Sequence, residues 1–460
     1  MALIKSISGI RGTIGGKSGD NMTPLDIVKF TSAFGIWLQK KIGKIGINVV
    51  IGRDARISGK VVSDIASSTL QALGINVIDL GLSTTPTVEI MVTELTADGG
   101  IIFTASHNPK EWNALKLLNN KGEFVSAKDG SEILKIAENE NFEYTDIDNF
   151  GSYKTIDNAI QIHIDKVLAL KEVSEGKVRE KRYKVVVDAV NSTGGIAIPK
   201  LLERMGCDLI KLYCEPNGQF PHNPEPLKEH LSDICSMVIT EKADLGIVVD
   251  PDVDRLVFVD ENGELFGEEY TIVAIADYIL RGQKGIAVSN LSSSKALKDV
   301  AKSLGSEYFA SAVGEVNVVE MMKEKNAIIG GEGNGGIIFP KLHYGRDAIV
   351  GVALFLTYLA QTQKTVSELR STYPNYFMGK KKIDLNPNIN IDSLLENLKS
   401  QYQDAKISTI DGLKISLPTH WIHLRRSNTE PIIRVYTEAD SQDKADSLAV
   451  ETIEKIKSLV

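Results

Sequence analysis

A chain of 460 residues exceeds what one hydrophobic core organises and is expected to fold as three or four domains. Its 43% hydrophobic and 24% charged residues are ordinary for a soluble globular protein, and a formal net charge of -8 argues against a nucleic-acid binder. No apolar run approaches membrane-spanning length, the start Met1-Ala2-Leu3-Ile4-Lys5-Ser6 lacks a signal peptide's apolar stretch, and Cys207, Cys214 and Cys235 have neither metal-ligand nor redox spacing. A free-thiol cytoplasmic protein is expected.

Near the start, Gly12-Thr13-Ile14-Gly15-Gly16-Lys17-Ser18 resembles a nucleotide phosphate loop but is one residue short, with Arg11 where the first Gly belongs. An ATP site is rejected, and Arg11 remains an anion contact. Thr23-Pro24-Leu25-Asp26 places a cap, a first-turn Pro and an N3 acid at the head of a helix through Leu38. A strand–helix–strand pattern then recurs three times. It runs from Val49-Val50-Ile51 through a helix from Val61 to Leu73 to Val77-Ile78. It returns from Val185-Val186-Val187 through Ile198 to Met205 to Leu209-Ile210, and again from Gly285-Ile286-Ala287-Val288 through Ala296 to Leu304 to Tyr308-Phe309. Each helix is followed by Gly (Gly74, Gly206, Gly305), the expected C-terminal cap. Such units imply parallel pairing, hence three related α/β domains. Pro86 opens a further helix through Leu95, and the polar, acidic stretch from Glu138 to Tyr153 reads as a linker. The tail differs: a strand near Lys382-Ile383, a helix around Ile391 to Leu398, strands flanking the turn signal Asp411-Gly412, a strand at Ile432-Arg434-Tyr436, and a closing helix from about Ser441 to Ile456. That is an α+β domain. The domain boundaries expected are 1–150, 155–255, 256–370 and 375–460.

The strongest chemical signal is Asp250-Pro251-Asp252-Val253-Asp254-Arg255 after the apolar run Leu245-Gly246-Ile247-Val248-Val249. In extended backbone alternate side chains point the same way, so three carboxylates converge and call for a hard cation such as Mg²⁺. A calcium loop fails because its sixth position needs Gly and here is Arg255, and Leu256-Val257-Phe258-Val259 reads as a strand. A solvated acidic turn is the bland alternative. Thr104-Ala105-Ser106-His107-Asn108-Pro109 follows the strand Gly100-Ile101-Ile102-Phe103, where open α/β sheets bind ligands, although an ordinary turn has the same residues. Lys116, ten residues on among apolar neighbours, is either a buried proton-transfer group with a depressed pKa or a snorkelling Lys.

Gly331-Glu332-Gly333-Asn334-Gly335-Gly336 formally matches a dinucleotide fingerprint, but Ile337-Ile338-Phe339-Pro340 is not the helix that fingerprint needs. Glu332 and Asn334 suit sugar hydroxyls; the alternative is a turn with no ligand. Leu424-Arg425-Arg426-Ser427-Asn428-Thr429-Glu430-Pro431 gathers donors suited to a phosphate.

Together, and in this order along essentially the whole chain, these motifs resemble the α-D-phosphohexomutase family of phosphoglucomutases, phosphomannomutases and phosphoglucosamine mutases. The resemblance implies three α/β domains with mixed sheets and a C-terminal α+β domain around a central cleft. It implies a phosphoserine at Ser106 in the first domain and Mg²⁺ held by Asp250, Asp252, Asp254 and a phosphoryl oxygen on Ser106 in the second. It implies catalytic support from Arg11, His107 and Lys116, with Arg255 near the transferring group. Gly314, Glu315, Glu332 and Asn334 would hold the sugar in the third domain, and Arg425, Ser427, Asn428 and Thr429 its other phosphate in the fourth. A hexose 1,6-bisphosphate would be both intermediate and primer, moving a phosphate between O6 and O1.

Two segments depart from the family pattern. The sugar loop commonly reads Gly-Glu-x-Ser-Gly-His, whereas Asn334 replaces Ser and Gly336 replaces His; Val313-Gly314-Glu315-Val316-Asn317 also differs. The variants are similar to phosphoglucosamine mutases outside the commonest bacterial type, implying glucosamine 6-phosphate to glucosamine 1-phosphate, with phosphomannomutase/phosphoglucomutase activity as the alternative. Outside the mutases stand a Mg²⁺-dependent sugar phosphatase and a sugar-phosphate sensor. The expected partner is a small sugar phosphate, with no nucleic acid and no membrane, and nothing in the sequence decides between a monomer and a homodimer.

Overall fold

The computed structural model describes residues 3–6, 9–384, 391–402, 404–426 and 432–458. The chain divides into two compact units, one of residues 1–271 and 335–369, the other of residues 272–334 and 370–460.

The first unit opens with a seven-stranded sheet of β1 (Ile4–Ser6), β2 (Gly9–Thr13), β3 (Asn48–Arg53), β4 (Asn76–Leu82), β5 (Gly99–Phe103), β6 (Trp112–Leu118) and β7 (Tyr153–Thr155), in the order β1-β2-β6-β5-β3-β4-β7. Its centre is parallel, β3 pairing with both β4 and β5, and β6 adds on antiparallel, so the sheet is mixed. Both faces are covered, which is why β3 reads as an unbroken apolar run. Val49 and Ile51 join a core with Phe30, Phe34 and Trp37 on one face, and Val50 joins Val88, Met91 and Ile102 on the other.

The expected helix head at Thr23 is present. The helix Pro24–Ile42 continues beyond Leu38 to Gly43, whose φ of 73° is left-handed. Asp26 Oδ2 accepts from the Thr23 N–H at 3.1 Å, and Oδ1 accepts from the Gly19 N–H at 3.1 Å and the Ser18 hydroxyl at 3.2 Å. The helix Gly59–Ala72 starts two residues before Val61, and the helix Thr85–Glu94 is capped by Thr84, whose hydroxyl accepts from Thr87 N–H.

The stretch read as a linker is a docked strap. Thr145 N–H donates to Ala72 carbonyl and Gly151 N–H to Gln71 carbonyl, each at 2.9 Å, and the strap ends in β7, parallel to β4. Its polarity reflects an exposed outer side, while its backbone is tied down by hydrogen bonds that composition does not reveal.

The second sheet of this unit has β8 (Lys184–Asp188), β9 (Asp208–Leu212), β10 (Leu245–Val249) and β11 (Leu256–Val259), ordered β11-β10-β8-β9. β8 pairs in parallel with β9 and β10, and β11 returns antiparallel to β10, so the Asp250–Arg255 segment is the loop between two buried strands. The apolar helix Ala348–Thr362 belongs to the same unit and is buried along nearly its whole length.

The other unit holds β12 (Ile286–Asn290), β13 (Glu307–Ser311) and β14 (Ile329–Glu332), parallel in the order β13-β12-β14. β15 (Gly336–Ile338) follows the Gly-rich loop as a strand, so the dinucleotide reading fails for the expected reason. The C-terminal sheet of β16 (Phe377–Asp384), β17 (Lys406–Ser408), β18 (Leu413–Ser416), β19 (Trp421–Arg426) and β20 (Ile432–Ala439) is wholly antiparallel, in the order β16-β20-β19-β18-β17. Leu394 and Leu398 of the helix Ile391–Ser400 and Ala449 and Ile456 of the helix Gln442–Ser458 close its core over Leu413, Ile422 and Val435. Three related α/β domains and one α+β domain are therefore present. Among the described residues no helix is long and apolar enough to cross a membrane.

Asp26 closes the first helix and the loop before it while being only 3% exposed. Asp26→Ala should lower stability by about 1–2 kcal/mol in urea unfolding and leave activity unchanged.

Candidate active site

Asp250, Asp252 and Asp254 are all 0% exposed, which removes the solvated-turn reading. They converge, but not by strand alternation. β10 ends at Val249, the segment turns, and Val253 adopts a left-handed φ of 64°. Asp250 Oδ1 accepts from the N–H groups of Asp254 at 3.2 Å and Arg255 at 3.1 Å, so the loop wraps around its own first carboxylate. The outer side of the loop is pinned as well: the hydroxyls of Ser192 and Thr193 donate to Pro251 carbonyl at 2.7 and 2.9 Å.

One oxygen from each Asp lies within 4.8 Å of the others. Asp252 Oδ1 and Asp254 Oδ1 are buried and have no hydrogen-bond partner among the described residues. An all-carboxylate donor set with orphaned oxygens fits a hard divalent cation. Burial, followed by the charges of Asp254 and Asp252, raises the Asp250 pKa well above the carboxylate range.

Ser106 reaches this site. Its hydroxyl donates to Asp250 Oδ2 at 2.7 Å, and its φ of 49° is left-handed. The strained loop is held from behind by Arg56, whose side chain is fully buried. Its guanidinium donates to four carbonyls: Ser106, Asn108 at 2.7 Å, Pro109 at 2.6 Å and Trp112 at 3.0 Å. Asp54 Oδ2 accepts from Arg56 Nε at 2.9 Å and from the Thr104 hydroxyl at 2.7 Å, and Thr104 Oγ1 accepts from Ser106 N–H at 2.9 Å. Asp54, Thr104 and Asp250 all follow the C-terminal ends of strands, the usual ligand edge of such sheets.

Lys116 on β6 turns its ammonium into the carboxylate cluster rather than snorkelling to solvent. Its ammonium lies 2.7 Å from Asp252 Oδ2 and 3.5 Å from Asp254 Oδ2. The expected depression of its pKa is overturned. Burial does oppose the charge, but Asp252 and Asp254 outweigh it and raise the value. Arg11 lies on β2, paired with Ala114 two residues before Lys116. His107 Nδ1 is 3.4 Å from the Ser106 hydroxyl, and burial, then Arg255 and Arg346, with a smaller part from Arg11, push its pKa well below the usual range, so it is neutral. Arg255 pairs with Glu225 at 3.4 Å.

Ser106, His107, Lys116, the three Asp residues and Arg255 thus gather in the first unit. In the second unit, Glu332 Oε1 accepts from Gly314 N–H at 3.1 Å and Asn290 Nδ2 at 2.8 Å. Glu315 opens the helix Glu315–Lys325 and is 8% exposed. Asn334 is the last residue of that unit's first segment. Arg425 Nε donates to Asp411 at 2.7 Å. Ser427, Asn428 and Thr429 lie outside the described residues.

Several site residues escaped sequence reasoning. Arg56 had a signal, charged residues in Gly52-Arg53-Asp54-Ala55-Arg56 directly after an apolar strand. Thr85, whose hydroxyl donates to Asp252 Oδ2 at 2.6 Å, reads only as part of a helix start. Arg346, 2.7 Å from Asp254 Oδ2, lies 92 residues from it in sequence and had no signal.

A buried serine bonded to one of three clustered carboxylates, with a Lys at their edge, is an arrangement suited to phosphoryl transfer. Four family descriptions of phosphoglucomutase/phosphomannomutase match this chain: α/β/α domain I over residues 3–144, domain II over 161–263, domain III over 267–376 and the C-terminal domain over 385–455. The chain belongs to the phosphoglucomutase/phosphomannomutase family and is a mutase, an intramolecular phosphotransferase. A phosphoglucomutase/phosphomannomutase of Thermococcus kodakarensis is 34% identical, covering 94% of this chain and 95% of that one. A phosphoglucosamine/phosphogalactosamine mutase of Sulfurisphaera tokodaii is 29% identical, covering 98% of each. The crystal structure of a phosphoglucomutase/phosphomannomutase family protein from Burkholderia thailandensis is 25% identical with a TM-score of 0.86, covering 100% of this chain and 98% of that one.

Arg346 is followed in the chain by Asp347, the centre of a buried cluster of titratable groups. Asp347 caps the helix Ala348–Thr362 and lies 2.9 Å from His163 and 3.2 Å from His343, and His343 lies 3.3 Å from Glu89. Burial opposes charge on His343, but Asp347 and Glu89 prevail and push its pKa up to about 10. The folded value exceeds the ordinary one of 6.5, so this stabilisation is complete below about pH 6.5 and is lost as pH rises through about 10. Urea unfolding across that window should show a decline in stability for the wild-type protein that His343→Gln removes.

Proposed function

We propose that this enzyme interconverts glucosamine 6-phosphate and glucosamine 1-phosphate through a phosphoserine at Ser106 and a hexose 1,6-bisphosphate, which also serves as primer. The observation that carries this reading is the 2.7 Å bond from the Ser106 hydroxyl to Asp250 inside the three-carboxylate site. In it, residues 1–150 form the phosphoserine domain, 155–255 the metal domain, 256–370 the sugar domain and 375–460 the phosphate domain.

Asp250, Asp252, Asp254 and a phosphoryl oxygen on Ser106 would hold Mg²⁺, which when bound neutralises phosphoryl charge and offsets the carboxylates that keep Lys116 protonated. The Ser106 O–P bond breaks as a sugar hydroxyl bonds to phosphorus. Lys116 takes that hydroxyl's proton and hands it to the departing Ser106 oxygen, which leaves as a hydroxyl. The bisphosphate reorients and the steps reverse at its other end. Arg11 and Arg255 balance charge on the transferring group, and neutral His107 offers a hydrogen bond beside Ser106. Arg425, with Ser427, Asn428 and Thr429, holds the phosphate that is not reacting. A second phosphate clamp is needed by a mutase and has no purpose in a phosphatase. Glu332 and Asn334 hold the sugar hydroxyls, and Gly314 and Glu315 face the amino group.

The choice of an amino sugar rests on the variant segments at 313–317 and 331–336 and agrees with the name of the Sulfurisphaera tokodaii relative. The name of the Thermococcus kodakarensis relative favours neutral hexoses. Values of kcat/KM with Mg²⁺ and primer on glucosamine 6-phosphate, glucose 1-phosphate and mannose 1-phosphate decide between them. A preference of about tenfold or more for the amino sugar is expected, about 1.4 kcal/mol, with Ser106→Ala inactive on all three. Equal or better turnover of the neutral sugars overturns the amino-sugar assignment, and release of inorganic phosphate overturns the mutase mechanism.

Glu315 supplies a sharper check. Glu315→Gln should reduce kcat/KM about tenfold on the glucosamine phosphate and much less on glucose 1-phosphate, since only the ammonium loses a charged partner. Equal losses would exclude the ammonium contact.

A further inference from the structure

The turn between β17 and β18 lies next to the phosphate arm. At Gly412 φ is 70°, and a Cβ there would meet Leu424 carbonyl at 2.1 Å, so only glycine lets the turn lie against β19. The preceding residue, Asp411, uses one oxygen twice: Oδ2 accepts from Arg425 Nε at 2.7 Å and from Val313 N–H at 2.9 Å. The Asp411 and Arg425 side chains are only 21% and 16% exposed, so this is a sheltered, charge-assisted contact.

The links continue on both sides. Val313 adjoins Gly314, whose N–H donates to Glu332 Oε1 at 3.1 Å, and Asn290 Nδ2 donates to the same oxygen at 2.8 Å. Asn290 Oδ1 accepts from Ser292 N–H at 2.9 Å. The Ser292 hydroxyl meets His423 Nδ1 at 3.0 Å, and His423 Nε2 meets the Asp411 carbonyl at 2.7 Å. Burial pushes the His423 pKa down to about 4, so the ring is neutral. Its tautomer follows: Nε2–H donates to the carbonyl, and Nδ1 accepts from the hydroxyl. The chain of hydrogen bonds closes on Asp411.

We infer that Asp411 is a positioning residue that couples Arg425, which takes a phosphate, to Gly314 and Glu332, which take the sugar, so that the two parts of a sugar phosphate are recognised cooperatively. This rests on the assignment of Arg425 and Glu332 to substrate made above. Holding Nε sets the plane of the guanidinium, and with it the Nη1/Nη2 edge. Any shift of Arg425 on meeting a phosphate is passed through a single carboxylate oxygen to the backbone at Val313, and so to the Glu332 carboxylate. A closed ring transmits such a shift because none of its members moves without straining its neighbours.

Double-mutant cycles test the coupling, read as kcat and KM and, independently, as calorimetric binding of glucosamine 6-phosphate in a Ser106→Ala background. Asp411→Asn keeps the shape and an acceptor for Val313 but loses the charge facing Arg425. It should raise KM about tenfold while kcat falls less, since it weakens ground-state recognition. In an Arg425→Lys background, where no Nε fork is left to orient, Asp411→Asn should cost less than about twofold. Combined with Glu332→Gln, its loss should be at least about fivefold smaller than the product of the single losses. Equal cost in the Arg425→Lys background, or losses that multiply with Glu332→Gln, overturns the coupling. Asp411→Glu, which restores the charge, should recover most of the affinity, and a variant that melts early without this rescue would assign Asp411 to stability alone. A wild-type protein that neither binds nor turns over a sugar phosphate overturns the proposed function itself, whereas normal wild-type turnover with independent mutations overturns only this inference.

Discussion

The first unit is organised by three carboxylates held where water does not reach. Each of Asp250, Asp252 and Asp254 is fully buried, and isolated buried charges cost several kcal/mol apiece. The loop is tolerated because everything around it opposes that cost. Two backbone N–H groups face Asp250, the Thr85 hydroxyl and the Lys116 ammonium face Asp252, and the Arg346 guanidinium faces Asp254. The compensation is incomplete, since one oxygen each of Asp252 and Asp254 has no hydrogen-bond partner among the described residues. A purely structural ion cluster would use those oxygens; a binding site keeps them for a cation.

The same demand shapes the surroundings. For Ser106 to meet Asp250 its backbone must turn left-handed, and such strain persists only where neighbours over-determine it. Arg56 does this by collecting four carbonyls between Ser106 and Trp112, which fixes the segment that carries the serine. Next to Arg346 in the chain, Asp347 is itself buried against two histidines. Charged groups distant in sequence therefore hold one another in register, each solving the desolvation of the next.

The second unit works differently. Its contacts around Glu332 and Arg425 run through backbone N–H groups, an amide, a hydroxyl and a neutral histidine, with a single ion pair between Arg425 and Asp411 among them. Such groups suit hydroxyls and a phosphate and do not demand a metal. Under the proposed function this division suits a mutase, in which one region transfers phosphate and another holds whatever is not reacting.

Much of this was legible in the sequence. The three strand–helix–strand units, the antiparallel tail, the capped first helix, Ser106 and the three Asp residues all announce themselves through periodicity, caps and short spacing, because each depends on residues close together in the chain. The structure corrected what depends on distant partners. The acidic strap before β7 looked like a linker because its backbone hydrogen bonds to residues 71 and 72 leave no trace in composition. The pKa of Lys116 rises rather than falls because burial alone was visible, while Asp252 and Asp254, more than 130 residues away, were not. The Asp triplet converges through a turn at Val253 and not through an extended strand. Arg56, Thr85, Arg346 and Asp411 acquire meaning only from what they face. By itself the sequence determined the elements and the chemical groups on offer, since local propensity and spacing are properties of neighbouring residues. Only the tertiary structure decided which charges meet, because electrostatic energy depends on distance and burial in space and not on separation along the chain.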